Sequence, residues 1–281
     1  MKKKILPVLI VFVLIIIILA ISGISAMIKK YTPTDERASL TDYFRISSDE
    51  QVAIVQNGSL IDAVGKIIDG HIYLDYTFVH DELNPRFYWD ANENILLYAT
   101  EQNLIQTNLD SNVYTVNKAN TDFGRPIVKA TADTTFVDLD FVKQYSDFTY
   151  TYVTNPNRIL LTNVWGDSQV ASLKKDEALR LKGGIKSPIL SDLTKGQKVT
   201  VLAPDENWTK VLTEDGIAGY VPSNKLSDSE TVTTSSTFVP ETFSHIKKDA
   251  PICMAWHQIF SRSANSEVAS VLATTKGINL A

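Results

Sequence analysis

The chain holds a single cysteine, Cys253, among its 281 residues. No internal disulfide can form, so an exported form of this protein must hold its fold by its cores alone. The sequence also lacks Cys-x-x-Cys pairs, glycine-rich phosphate loops and a His-Glu-x-x-His run. Cations are in the minority, 27 Lys and Arg against 32 Asp and Glu. Five of those lysines fall in residues 1–30, which hold no acid, leaving 22 basic side chains against 32 acidic ones and a net of −10 on the rest. That balance excludes nucleic acid as a partner. No cofactor is called for.

What the sequence does contain is a long apolar run at its start. Lys2-Lys3-Lys4 precedes Ile5 to Ile21, and low polarity continues to Ile28 before Lys29-Lys30. About 20 apolar residues span a bilayer core, whereas the apolar region of a cleaved signal is about 7–15. Length therefore predicts a transmembrane anchor within residues 1–30 rather than a signal peptide cut after Ile24-Ser25-Ala26. Three lysines before the run and two after it orient the N-terminus to the cytoplasm, with everything beyond Lys30 outside. No cysteine stands at the end of the run, which excludes a lipid anchor there. Together with the missing disulfides, this describes a bacterial, single-pass surface protein.

Residues 31–50 are polar and aperiodic and read as a stalk. Residues 51–163 contain an internal repeat. Ile72–Val79 aligns with Thr135–Val142 at an offset of 63. Each copy continues into an aromatic strand (Phe87–Trp89; Tyr150–Tyr152), a polar turn and an apolar strand (Ile95–Leu97; Ile159–Leu161), with one residue gapped in the turn. Two copies of a strand, short helix and hairpin predict a pseudo-symmetric α+β domain with one shared core. The layout resembles the copper amine oxidase N-terminal-like domain of exported bacterial proteins. Nothing in the residues points to copper: His71 and His80 are the only histidines of the region, and no Cys/His/Met cluster joins them. The aromatic residues read as strand packing, with a carbohydrate platform as the alternative.

From about residue 174 to 226 short strands follow at close spacing. Ala178–Lys182, Lys198–Leu202, Trp208–Leu212 and Ile217–Val221 alternate, and Glu214-Asp215-Gly216 marks a hairpin turn. Such strands predict a small barrel. Lys195-Gly196 before one strand, Trp208 opening the next, and Asp215-Gly216 followed by Gly219-Tyr220-Val221 resemble a bacterial SH3 (SH3b) domain over residues 170–228. The resemblance implies binding of cell-wall peptide or glycan, with Trp208, Asp215 and Tyr220 as candidate binding residues and no catalytic role. Trp208, Gly219 and Tyr220 read equally well as barrel core.

Residues 229–249 are Ser/Thr-rich and read as a linker. Beyond them, Ile252–Ile259 reads as a buried strand and Ser263–Gly277 as a helix with Val268, Val271 and Leu272 on one stripe. This strand and helix, and the order of modules before them, resemble the start of a glycoside hydrolase family 18 domain. Residues 250–281 would then be the truncated first βα unit of a (β/α)8 barrel, far short of the roughly 250 residues the barrel needs. The family's Asp-x-x-Asp-x-Asp-x-Glu signature is missing: Asp228-Ser229-Glu230 is the nearest match, with Leu226 where an Asp belongs. Cys253 and His257 do not form a catalytic dyad, because four strand residues separate them by about 13 Å.

The expectation is thus a mainly β chain with α+β parts: a membrane helix, a repeated domain, an SH3-like barrel and a truncated βα unit. It reads as the anchored, wall-binding front of a family 18-like glycosidase, without catalytic residues, metal or cofactor of its own. A non-enzymatic wall-binding, sensing or spacer protein is the alternative.

Overall fold

The computed structural model describes residues 13–18, 28–100 and 102–238. Most of the expected anchor, the end of the expected linker and the whole of 250–281 lie outside them. Among the described residues no helix is long and apolar enough to cross a membrane.

The chain is mainly β, with few helices and several sheets. After a short helix α1 (Leu40–Tyr43) come β1 (Gln51–Gln56), β2 (Ser59–Ile68) and β3 (His71–Asp75). A single turn, α2 (Tyr76–Phe78), widens through Val79–Leu83 into β4 (Phe87–Asp90), β5 (Ile95–Ala99), β6 (Leu104–Asn108), β7 (Val113–Val116) and β8 (Ala119–Asp122). Next are β9 (Val128–Ala130), β10 (Thr135–Asp138), α3 (Leu139–Gln144), β11 (Thr149–Val153) and β12 (Arg158–Thr162). The remaining strands are β13 (Gly166–Ser172), β14 (Glu177–Arg180), β15 (Ile189–Leu193), β16 (Lys198–Ala203), β17 (Trp208–Leu212), β18 (Ala218–Pro222) and β19 (Glu230–Thr234). Two compact units result, one of residues up to Asp75 with Asp147–Thr237, the other running from Tyr76 to Ser146.

In the first unit, β11, β12, β1, β2 and β3 lie side by side, β1 parallel to β12 and the other neighbours antiparallel. The unbroken apolar run Val52–Val55 is buried along its whole length, as expected of a strand covered on both faces. Its Ala53 and Val55 enter the core of the second sheet, whose order is β15-β14-β18-β17-β16-β13-β19. That core combines Leu179, Leu193, Val199, Val211 and Val221 with Phe44, Ala53 and Val55. The SH3-like sheet and the strands before it therefore share one hydrophobic interior.

Residues 31–50, expected as a stalk, run along this second sheet. Thr34 N donates to Ile185 O at 2.8 Å, Ile189 N to Glu36 O at 2.7 Å and Ala38 N to Ile189 O at 2.8 Å. Ser39 caps α1 by accepting from Asp42 N, and Phe44 is only 2% exposed. A segment docked through its own backbone needs no apolar period, which is why none is visible. The first part of the expected linker is likewise structured: β19 pairs antiparallel with β13.

In the second unit β4 to β8 form an antiparallel sheet. Its inner face carries an aromatic cluster in which Phe87 lies 4.8 Å from Tyr98 and 6.3 Å from Phe141. Asp138, fully buried, caps α3 by accepting from Phe141 N at 3.0 Å. Arg125 holds the same carboxylate through Nε at 2.7 Å and Nη2 at 3.0 Å.

The repeat is visible in the strand registers. Gly65 faces Leu74 as Val128 faces Val137, and Asp90 faces Ile95 as Val153 faces Arg158. All four relationships keep the offset of 63, so the expected gap in the turn is not needed and the repeat extends back into β2 and β9. The same positions are buried in both copies: Leu74 and Val137, Phe78 and Phe141, Val79 and Val142, Leu96 and Ile159. The compact units cut across the repeat, each holding one of its two hairpins.

Candidate functional site

Strands β17 and β18 alternate strictly. Thr209, Val211, Gly219 and Val221 point inward and are buried, whereas Trp208, Lys210, Tyr220 and Pro222 point outward and are partly exposed. Gly219 is required inside because an added Cβ would stand 2.7 Å from Leu179 Cγ and 2.8 Å from Arg180 O. On the outward face Trp208 is opposite Pro222 and Lys210 opposite Tyr220, so the two aromatic residues are diagonal neighbours across the pair. Trp208 and Tyr220 thus belong to the outer face and only Gly219 to the core.

The loop between β14 and β15 lies against this face. A Cβ at Gly183 would come within 3.0 Å of Trp208 Cβ and 3.6 Å of Tyr220 Cδ1. The loop is held in place from below. Lys182 N donates to Ser187 Oγ at 2.7 Å, and buried Arg180 donates through Nη1 to Ser187 O at 2.8 Å and Thr34 O at 3.1 Å. Neither the Trp208 indole N–H nor the Tyr220 hydroxyl makes a hydrogen bond among the described residues. Two partly exposed rings with free polar ends, a lysine between them and a fixed backbone wall form a preorganised surface for a polar ligand with an apolar side.

Asp215 is elsewhere. It sits in the β17–β18 turn, where its carbonyl accepts from Arg158 Nε at 2.6 Å and its carboxylate from Arg158 Nη2 at 3.1 Å. Thr213 Oγ1 also donates to its carboxylate. The structure brings Trp208 and Tyr220 together and leaves Asp215 at the far end of the hairpin in a structural role. Gly183, Lys210 and Arg180 complete the face and were not singled out from sequence. The period-2 placement of Lys210 after Trp208 and the Gly183-Gly184 pair were the available signals.

Among the described residues no three His, Cys, Asp or Glu side chains cluster as a ligand set for copper. His71 is exposed on β3 in the first unit, and in the second the His80 ring places Nδ1 2.7 Å from Phe87 O.

No curated protein and no solved structure matches the chain. Two family matches do: residues 54–161 are similar to the copper amine oxidase N-terminal domain, and residues 178–227, which carry the outward aromatic face, to the bacterial SH3 domain.

Proposed function

We propose that this chain binds the bacterial cell wall through the outward face of its SH3 module. The observation that carries the reading is the pair Trp208 and Tyr220, partly exposed and without side-chain hydrogen-bond partners among the described residues, beside the clamped Gly183 loop in a region similar to bacterial SH3 domains. The inner side of the module is occupied by Phe44, Ala53 and Val55, so the outer face is the one available to a ligand. Wall peptide and glycan both present amides and hydroxyls beside apolar surface, the chemistry this face matches.

The same reading places the chain at the membrane surface, N-terminus inside. The run Ile5–Ile21 supports it, as do the exposed apolar side chains of Val13 to Ile18. Binding, not hydrolysis, is the role we assign to these residues, since the sequence carries no family 18 acid signature; the resemblance of residues 250–281 to the opening of such a barrel is a property of sequence alone. The test is co-sedimentation of the full chain, in detergent, with purified peptidoglycan sacculi. Recovery in the pellet supports the proposal; a folded chain that stays in the supernatant contradicts it.

A further inference from the structure

The outer face of the β4–β8 sheet carries a straight row of side chains. Tyr88 faces Leu97, Leu97 faces Gln106, Gln106 faces Thr115 and Thr115 faces Asn120, one residue from each strand. The opposite face is identified by Phe87 and Tyr98 in the aromatic cluster, so this row points away from it. At about 4.8 Å between strands the row extends roughly 19 Å, the length of a short oligosaccharide. The Tyr88 hydroxyl, the Gln106 and Asn120 amides and the Thr115 hydroxyl make no hydrogen bond among the described residues. They alternate with, or lie beside, apolar surface supplied by Leu97 and the Tyr88 ring.

Charge narrows the occupant. The five strands contain no Lys or Arg, although lysine is the usual means of keeping an open sheet soluble and unpaired. Their carboxylates are turned to local duties: Asp90 accepts from Asn92 N at 2.9 Å and Asp122 from Gly124 N at 2.8 Å. Within the strands a phosphate-bearing or acidic polymer finds no cation; Arg86 and Lys118 lie outside them, before β4 and between β7 and β8. A neutral, linear chain of sugar rings does find its complement: an aromatic face for a ring's C–H side, and amide and hydroxyl groups at regular intervals for its hydroxyls and acetamides. We infer that this face is a second binding site, for a neutral linear glycan, separate from the SH3 face.

The test uses the full chain carrying Trp208→Ala, which silences the SH3 face, and beads of chitin, an uncharged linear polymer of N-acetylglucosamine. The inference expects retention on the beads. Tyr88→Leu, which removes the ring and keeps an apolar side chain, and the isosteric Gln106→Glu, both at outward positions, should each weaken retention at least ten-fold with the thermal midpoint unchanged. Absence of retention, or retention that both substitutions leave intact, overturns the inference. The two proposals fail separately: chitin retention kept in Trp208→Ala while sacculus binding by a Tyr88→Leu chain is lost leaves only this inference standing, and the reverse leaves only the SH3 face.

Discussion

Arg158 on β12 and Asp215 in the β17–β18 turn, 57 residues apart, are joined twice: Nε donates to the Asp215 carbonyl at 2.6 Å and Nη2 to its carboxylate at 3.1 Å. The Arg158 side chain is 2% exposed and lies 4.7 Å over the Phe44 ring, with Nη1 donating to Pro156 O at 2.9 Å. Burial pushes the guanidinium pKa down, and the Asp215 carboxylate opposes that shift. The cation is thus satisfied largely by carbonyls and a ring, and the SH3 turn is fastened to the preceding strands.

The two partners should not be equivalent. Arg158→Ala removes a buried cation, its packing on Phe44 and the support for two carbonyls, and should cost about 3 kcal/mol. Asp215→Asn keeps the carbonyl acceptor, and the carboxylate it alters is 47% exposed, so its cost should be about 1 kcal/mol. Urea unfolding of the full chain measures both. Equal losses would contradict this division.

The SH3 module should not stand alone. Without residues before 170 its core lacks Phe44, Ala53 and Val55. Gly216, whose added Cβ would sit 2.2 Å from Leu160 Cδ2, loses the surface it is packed against. A module of that size has little interior to spare. Residues 170–228 expressed by themselves should give a poorly dispersed amide spectrum, while residues 28–238 should give a dispersed one. A well-folded isolated module would show that the shared core is incidental.

Asp138 has three roles at once: cap of α3, partner of Arg125, and a buried charge. Its hydrogen bonds are also the main reason the Arg125 pKa is raised. Asp138→Ala leaves Arg125 with only its exposed partner Asp140, 2.7 Å away, and α3 without its cap, and should destabilise the chain by about 3 kcal/mol. Asp138→Asn keeps an oxygen for Phe141 N and should cost less. Thermal unfolding of both variants checks the order, and an alanine variant as stable as wild type would refute it.

Local patterns were readable because they are made of local contacts. The alternation in Lys198–Leu202 and Trp208–Leu212 marks β16 and β17, and the match of Ile72–Val79 to Thr135–Val142 marks the repeat. Phe44 gave no such signal, because its burial depends on a sheet that begins more than a hundred residues later. For the same reason Asp215 could be picked out as part of the SH3 pattern while its partner Arg158 could not. Of the candidate site, the two rings were legible by type. The direction in which they point required the strand register, and the Gly183 wall required the loop's path.

The most direct test of the account is the dissociation constant of the full chain for purified sacculi, measured beside its thermal midpoint, for a chain carrying Tyr88→Leu to remove the second face and for the same chain with Trp208→Ala, Tyr220→Ala or Asp215→Asn added. The outward placement of the two rings predicts that each alanine variant binds at least ten-fold more weakly, with little change in midpoint. Asp215→Asn should do the reverse, lowering the midpoint while binding is kept. Wall binding that survives loss of both rings in a folded chain, or that follows Asp215 instead, would contradict the proposed site.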